Sequence, residues 1–208
     1  MKDLLYNYYG KAFGSNLRHD VKYENCSESY FEIKDRDINI ACNKGEGVSA
    51  FLNPSCKSIV IIDFENFVNQ WRGNAGKGKK CDFILYDEDE YIILNELTYC
   101  KPEYLDQHTN DGQISLGKRS IALKQIQSTI DKLHNVNEIK TYIDKTPKKI
   151  GLFSYKINEC SELNETISKS NVKFNSIKAI FSNISSESGL TDGFVFEQRV
   201  YPIPFEFE

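Results

Sequence analysis

Between Gly76 and Cys100 the chain reads GKGKKCDFILYDEDEYIILNELTYC, two short apolar runs joined by the acidic turn Asp87-Glu88-Asp89-Glu90. β-Branched and aromatic residues flanking a polar turn predict a pair of strands. Side chains alternate faces along a strand, so Asp82, Ile84 and Tyr86 share one side of the first, and Leu94, Glu96 and Thr98 one side of the second. The carboxylates of Asp82 and Glu96 are therefore expected to meet on one sheet face. Two close anions repel unless a proton or a cation lies between them, and oxygen-only ligation of this kind suits Mg²⁺. That chemistry points towards phosphodiester hydrolysis.

At 208 residues the chain can bury one sizeable core without a covalent staple, and a single domain over 1–208 is expected. The formal charge of −4 argues against a surface coated in basic residues, so any contact with nucleic acid has to be regional. Six cysteines (Cys26, Cys42, Cys56, Cys81, Cys100 and Cys160) form no CxxC and no Cys/His ladder, which excludes the usual zinc patterns. Cys81 and Cys100 read as small buried apolar residues. The N-terminus MKDLLYNYYGKAFG lacks the pattern of a signal peptide, and no apolar run reaches the ~20 residues of a membrane helix. A cytoplasmic protein with reduced thiols and no membrane partner is the expectation.

Leu4, Leu5, Tyr8, Tyr9 and Ala12 fall at helical spacing, predicting a short amphipathic helix over 2–14 with its aromatics in the core. Tyr30–Ile33 and Ile38–Ala41 read as strands about a charged turn, and Gly45-Glu46-Gly47 as another turn. The run Ile59-Val60-Ile61-Ile62 favours a buried strand, while Val60, Phe64, Phe67, Val68 and Trp71 also fit a helix entered by Glu65 or earlier. A long helix is predicted over 118–133, with Ala122, Ile126, Ile130 and Leu133 as its buried stripe. Lys118 and Gln125, seven residues apart, share one of its faces. A strand is expected over 149–157, an exposed segment over 158–171, and last strands within 174–184 and 193–207, where Pro202 and Pro204 suggest an edge or a tail. The terminal Phe205-Glu206-Phe207-Glu208 reads as a docking segment or a final strand.

Arg72 to Lys80 is glycine-rich and carries the four cations Arg72, Lys77, Lys79 and Lys80 with no acid. It reads either as a solvated connection or as a loop that follows a phosphate backbone next to the carboxylates. It lacks the order of a nucleotide-binding P-loop, since Lys79 is followed by Lys80 and Cys81.

The order of Asp82, acidic turn, Glu96-x-Thr98 and then a helix of the form KRxxALxQIxxTIxxL resembles the restriction-endonuclease-like PD-(D/E)XK nucleases, over about residues 58–157. The resemblance implies an α/β core with a central mixed sheet flanked by helices. It further implies Mg²⁺ or Mn²⁺ held by Asp82 and Glu96, and in-line attack of water on a phosphodiester of nucleic acid, DNA rather than RNA. The chain departs from the family at Thr98, which stands where a lysine is normal, and a hydroxyl does not replace an ammonium electrostatically. Lys118, Arg119 and Lys124 on the following helix are the candidates for the missing cation, with Gln125 hydrogen-bonding near the site and Arg72, Lys77, Lys79, Lys80 and Arg119 as substrate contacts. Glu65 is favoured over Glu46 as a third metal-binding acid. Such nucleases are commonly homodimers associated with defence against foreign DNA, and the resemblance extends to that setting.

Thr98 and the net negative charge favour a catalytically silent nuclease-like domain that binds nucleic acid or a partner protein. Ile61-Ile62-Asp63-Phe64-Glu65-Asn66 is superficially similar to the strand end of NYN/PIN-type ribonucleases, although the later acids are poorly spaced for that family. The tetrad 87–90 reads as a solvated turn tip, and His19, His108 and His134 as surface or satisfied histidines, with His108 following the Glu96 strand.

Overall fold

The computed structural model describes residues 1–35, 40–41, 44–110, 113–157 and 189–208, without the side chains of Ile40, Ala41, His108, Asn110 and Gln113. The segment expected to be exposed over 158–171, the strand expected within 174–184, Cys42 and Cys160 lie outside the described residues, as does the His108 side chain.

The chain begins with α1 (Lys2–Ala12), then β1 (Tyr23–Cys26), β2 (Tyr30–Ile33), β3 (Ile40–Ala41), β4 (Ser49–Leu52) and β5 (Ile59–Asp63). Next come α2 (Phe64–Asn69), β6 (Phe83–Tyr86), β7 (Tyr91–Cys100), and the short pair β8 (His108–Asn110) and β9 (Gln113–Ser115). Two helices follow, α3 (Lys118–His134) and α4 (Asn137–Lys145), then β10 (Lys148–Ile157), β11 (Val195–Val200) and β12 (Phe205–Glu206).

The central sheet is mixed, in the order β1-β5-β6-β7-β10-β11. β1, β5, β6 and β7 pair antiparallel in succession, and β10 pairs parallel with both β7 and β11. A parallel strand needs a crossover of a dozen or more residues, and α3 with α4 supplies it. A smaller sheet has the order β12-β4-β2-β3. The central mixed sheet is as expected, with helices along one face and the smaller sheet along the other. Leu5, Phe67, Ile126 and Ile139 from the four helices pack with Ile62, Ile84, Leu94 and Phe153 on one face. On the other, Phe31, Phe51, Phe205 and Phe207 of the small sheet and the chain end cover Ile61, Phe83, Ile93 and Leu152. The aromatic residues of β2, β4 and β12 give that second layer enough apolar surface to take a helix's place.

Local choices follow from the residues. Leu5 and Tyr9 bury one face of α1, and the Tyr9 hydroxyl donates to the Ala75 carbonyl at 2.8 Å. The ambiguous stretch after Ser58 is strand first and helix second. Asp63 ends β5 and caps α2, its Oδ1 accepting from Asn66 N–H at 3.1 Å. Phe205-Glu206 pairs parallel with Phe51-Leu52 as an edge strand, so the C-terminal run is structural. Pro202 and Pro204 precede it, where no ladder N–H is lost.

The acidic turn departs from the solvated tip expected of it. Asp87 is buried, and its Oδ1 accepts from the N–H groups of Glu90 and Tyr91, both at 2.7 Å, and of Asp89 at 3.3 Å. Glu90 lies between Lys57 and Lys148, at 2.6 and 2.8 Å. Only Glu88 and Asp89 are exposed. Asp87→Ala strands several turn N–H groups and should cost about 1–3 kcal/mol in urea unfolding. Glu88→Gln and Asp89→Asn should each stay within about 0.5 kcal/mol.

Candidate metal and nucleic-acid site

Two strands bring the acids together. The β6–β7 ladder pairs Ile84 with Leu94 and Phe83 with Asn95, so one further step places Asp82 opposite Glu96 on the helix-covered face. Asp82 lies just outside the strand, and its side chain replaces the missing ladder partner: Oδ2 accepts from Leu97 N–H at 2.7 Å. Its carbonyl accepts from the N–H groups of Phe64 and Glu65 at 2.9 and 3.0 Å. The start of α2 is thus clamped to Asp82, which brings Glu65 alongside.

Glu96 is held from the helix side. Gln125 Nε2 on α3 donates to Glu96 Oε1 at 2.7 Å and to the Lys80 carbonyl at 3.2 Å. Ser128 Oγ donates to the Lys79 carbonyl at 2.7 Å, Thr129 Oγ1 accepts from Cys81 N–H at 2.8 Å, and Lys132 Nζ donates to the Lys77 carbonyl. α3 therefore pins the basic loop at four points along its length. Glu96 is only 8% exposed, and its second oxygen, Oε2, is buried without a hydrogen-bond partner. A buried carboxylate oxygen with no donor is costly and asks for a proton or a cation.

The electrostatics agree with the geometry. Burial raises Asp82 to about 7, opposed by the Leu97 N–H and reinforced by the charges of Glu65, Asp35 and Asp63. Burial also raises Glu96 to about 9, helped by Asp82 and opposed by the Gln125 hydrogen bond, with Glu65 and Asp35 adding to the rise. Asp35, just after β2, belongs to this anionic surround although nothing in its local sequence marks it out. Among the described residues no group of three or more His, Cys, Asp or Glu side chains forms a ready metal-ligand set. Asp82 and Glu96 are thus a two-carboxylate site with acids on its flank, which fits an ion that keeps most of its waters, as Mg²⁺ does.

The other expected residues are distributed unevenly. Thr98 is half-buried, its hydroxyl donating to the Tyr99 carbonyl at 3.2 Å. Lys118 is exposed at the start of α3 and acts on Cys100, whose thiol burial nonetheless raises to about 11. Cys100 is four residues beyond Glu96, roughly 13 Å along a strand. Lys118 and Gln125 do share a helix face, but seven residues also separate them by about 10 Å, so a shared face is not a shared site here. Arg119 turns to Asp106 at 3.5 Å, and Lys124 is exposed. Glu46 pairs with Lys34 at 2.9 Å, leaving Glu65 as the acid beside Asp82. Arg72, Lys77 and Lys79 are exposed, and half-buried Lys80 donates through Nζ to Asn69 Oδ1. Lys132, which nothing in the local sequence pattern marks out, is a nearly buried cation whose pKa is lowered by desolvation and by Lys80.

A hollow of about 680 Å³ lies elsewhere, lined by Tyr91, Lys148, Arg199 and Phe205 among others. Its cations are already engaged, Arg199 with Glu197 and Lys148 with Glu90 and Glu208. Another, of about 470 Å³, is lined by Asp82 and Glu65 and not by Glu96.

Because both carboxyls hold protons more tightly folded than unfolded, the unfolded chain releases them first as pH rises. Their contribution to stability is complete below about pH 4 and is lost as pH rises towards 7 for Asp82 and 9 for Glu96. In EDTA, Glu96→Gln keeps the acceptor for Gln125 and removes the titration. Urea unfolding from slightly acidic to alkaline pH should show wild type losing up to about 1.4 kcal/mol per pH unit relative to the variant. Parallel profiles would contradict the assignment.

No family model matches the chain, and neither a curated protein nor a solved structure does.

Proposed function

We propose that the chain is a metal-dependent nuclease that hydrolyses phosphodiester bonds of nucleic acid. The observation that carries the reading is the partnerless, buried Glu96 Oε2 in a carboxyl group crowded by Asp82. Mg²⁺ or Mn²⁺ would be held by Asp82 and Glu96 with Glu65 on the flank, and bound there would supply Lewis-acid polarisation and a nucleophile from water at neutral pH. The mixed sheet, with the acids on adjacent strands and a helical crossover behind them, supports the restriction-endonuclease-like reading.

This chain's residues divide the remaining work. Leu97 N–H orients Asp82, and Gln125 turns Glu96 so that Oε2 is the oxygen left to bind. Thr98 brings no charge to the reaction, and Lys80 is the better candidate for that role than Lys118, since its Nζ reaches Asn69 on the wall of the hollow beside Asp82. Arg72, Lys77 and Lys79 on the same loop steer the phosphate backbone.

With Mn²⁺ and mixed DNA and RNA substrates, Asp82→Ala and Glu96→Ala should abolish cleavage and weaken metal binding measured by calorimetry. Lys80→Ala should lower cleavage by about 10²–10³ with metal binding retained, and Lys118→Ala should cleave nearly as wild type does. A specific observation, the hydroxyl of Thr98 in the lysine's place, favours the silent domain as the second reading. Wild type that binds Mn²⁺ at Asp82 and Glu96 yet cleaves neither substrate would replace the nuclease by that domain.

A further inference from the structure

α1 buries one face through Leu5 and Tyr9, and Tyr6 falls outside it. Lys2 and Tyr6, at i and i+4, are neighbours on the surface of that helix. Lys2 Nζ lies 3.8 Å from the centre of the Tyr23 ring at the start of β1, and the Arg18 guanidinium 5.4 Å from the centre of the Tyr6 ring. Both distances fall within the roughly 6 Å over which a ring face attracts a cation. Tyr23, Lys2, Tyr6 and Arg18 therefore form a row in which rings and cations alternate. Among the described residues the row is open to water: Tyr6 is 38% and Tyr23 40% exposed, and Arg18 and its neighbour Leu17 are exposed as well. Between positions 2 and 22 the cations Lys2, Lys11, Arg18 and Lys22 outnumber the acids Asp3 and Asp20, in a chain whose formal charge is −4.

The row lies close to the carboxylates without sharing their contacts. Tyr23 stands opposite Ile62, and Ile62 opposite Ile84, two residues from Asp82. Two strand spacings and two residues put the backbone of Tyr23 roughly 12 Å from that of Asp82. The link between Arg18 and Tyr23 also touches α2 and its cap, the Asp20 carbonyl accepting from Gln70 Nε2 at 3.1 Å and Lys22 Nζ lying 3.8 Å from Asp63 Oδ2.

We propose that this row is a binding surface for single-stranded nucleic acid, holding the strand whose phosphate lies at Asp82 and Glu96. The choice of ligand rests on the nuclease reading above. Phosphates pair with ammonium and guanidinium groups, and unpaired bases offer their π-faces to exposed rings and to a guanidinium plane. A duplex keeps those faces stacked inside, so it meets the row through its phosphates alone. An acidic protein surface would answer the cations and give Tyr6 and Tyr23 no bases to stack on.

Binding is measured by fluorescence anisotropy, with the full chain in EDTA titrated into labelled oligo(dT) and into its duplex with oligo(dA). The single strand should bind at least about tenfold tighter than the duplex. Tyr6→Ala/Tyr23→Ala should weaken the single strand by about tenfold or more and leave the duplex unchanged. Tyr6→Phe/Tyr23→Phe, which keeps both rings, and Tyr104→Ala, which removes a ring 37% exposed elsewhere, should bind as wild type does. Lys2→Gln/Arg18→Gln should flatten the slope of log affinity against log salt by about 0.7 for each cation removed, and this pair decides the matter if the alanine pair does not fold. No binding, equal affinity for strand and duplex, unchanged affinity in the alanine pair, an unchanged salt slope, or displacement by polyglutamate as effective as by unlabelled strand would overturn the proposal. Cleavage of the single strand with Mn²⁺ is measured in parallel. Cleavage with binding that ignores the rings removes the surface and leaves the nuclease, while ring-dependent binding without cleavage removes the nuclease and leaves the surface.

Discussion

Two facing carboxyl groups at the paired ends of β6 and β7, Glu96 buried and Asp82 half-buried, are the constraint around which the rest is arranged. Asp82 stands one residue before its strand and uses a side-chain oxygen to finish the ladder at Leu97. Glu96 faces it under α3, with one oxygen on Gln125 and the other on nothing. Removing two like charges from solvent is unfavourable, and a fold keeps such a pair only when a proton or a cation relieves it. The crossover through α3 gives the site its roof, and the clamp from Asp82 to the first N–H groups of α2 gives it a wall.

The part of the fold closest to this pair was legible because it is written in local pattern. Alternation across Ile84, Tyr86, Leu94 and Glu96 fixed which side chains share a face, and the stripe Ala122, Ile126, Ile130, Leu133 fixed how the following helix lies on it. Gln125 followed from that stripe by phase. Lys118 shares the phase but not the location, because helical periodicity gives angle and leaves the distance along the axis to be counted. The layer opposite the helices was not legible as a sheet, since β4 and β12 are short and their parallel pairing joins residues about 150 positions apart, Phe51 with Phe205.

Polar residues were the harder part. Asp87-Glu88-Asp89-Glu90 looks uniform in sequence, yet Asp87 satisfies the turn's own N–H groups and Glu90 meets Lys57 and Lys148 from distant strands. Glu32 is fully buried on β2, accepting from Tyr30, Tyr201 and the N–H groups of Gly45 and Gly47, and these hydrogen bonds outweigh its burial and hold its carboxyl below the usual range. Lys132 lies across the basic loop instead of in solvent. Apart from Tyr30, these partners are tens of residues away or are backbone groups, and neither leaves a mark on local composition. Asp35 joined the anionic surround in the same way, through tertiary placement alone.

The most direct test of the central claim is anomalous diffraction from crystals of the full chain soaked in Mn²⁺. A single strong peak within coordination distance of both Asp82 and Glu96 Oε2, absent from Glu96→Gln crystals, is the result this account predicts. Carboxyl groups joined directly through a shared proton, with manganese absent or bound elsewhere, would contradict it.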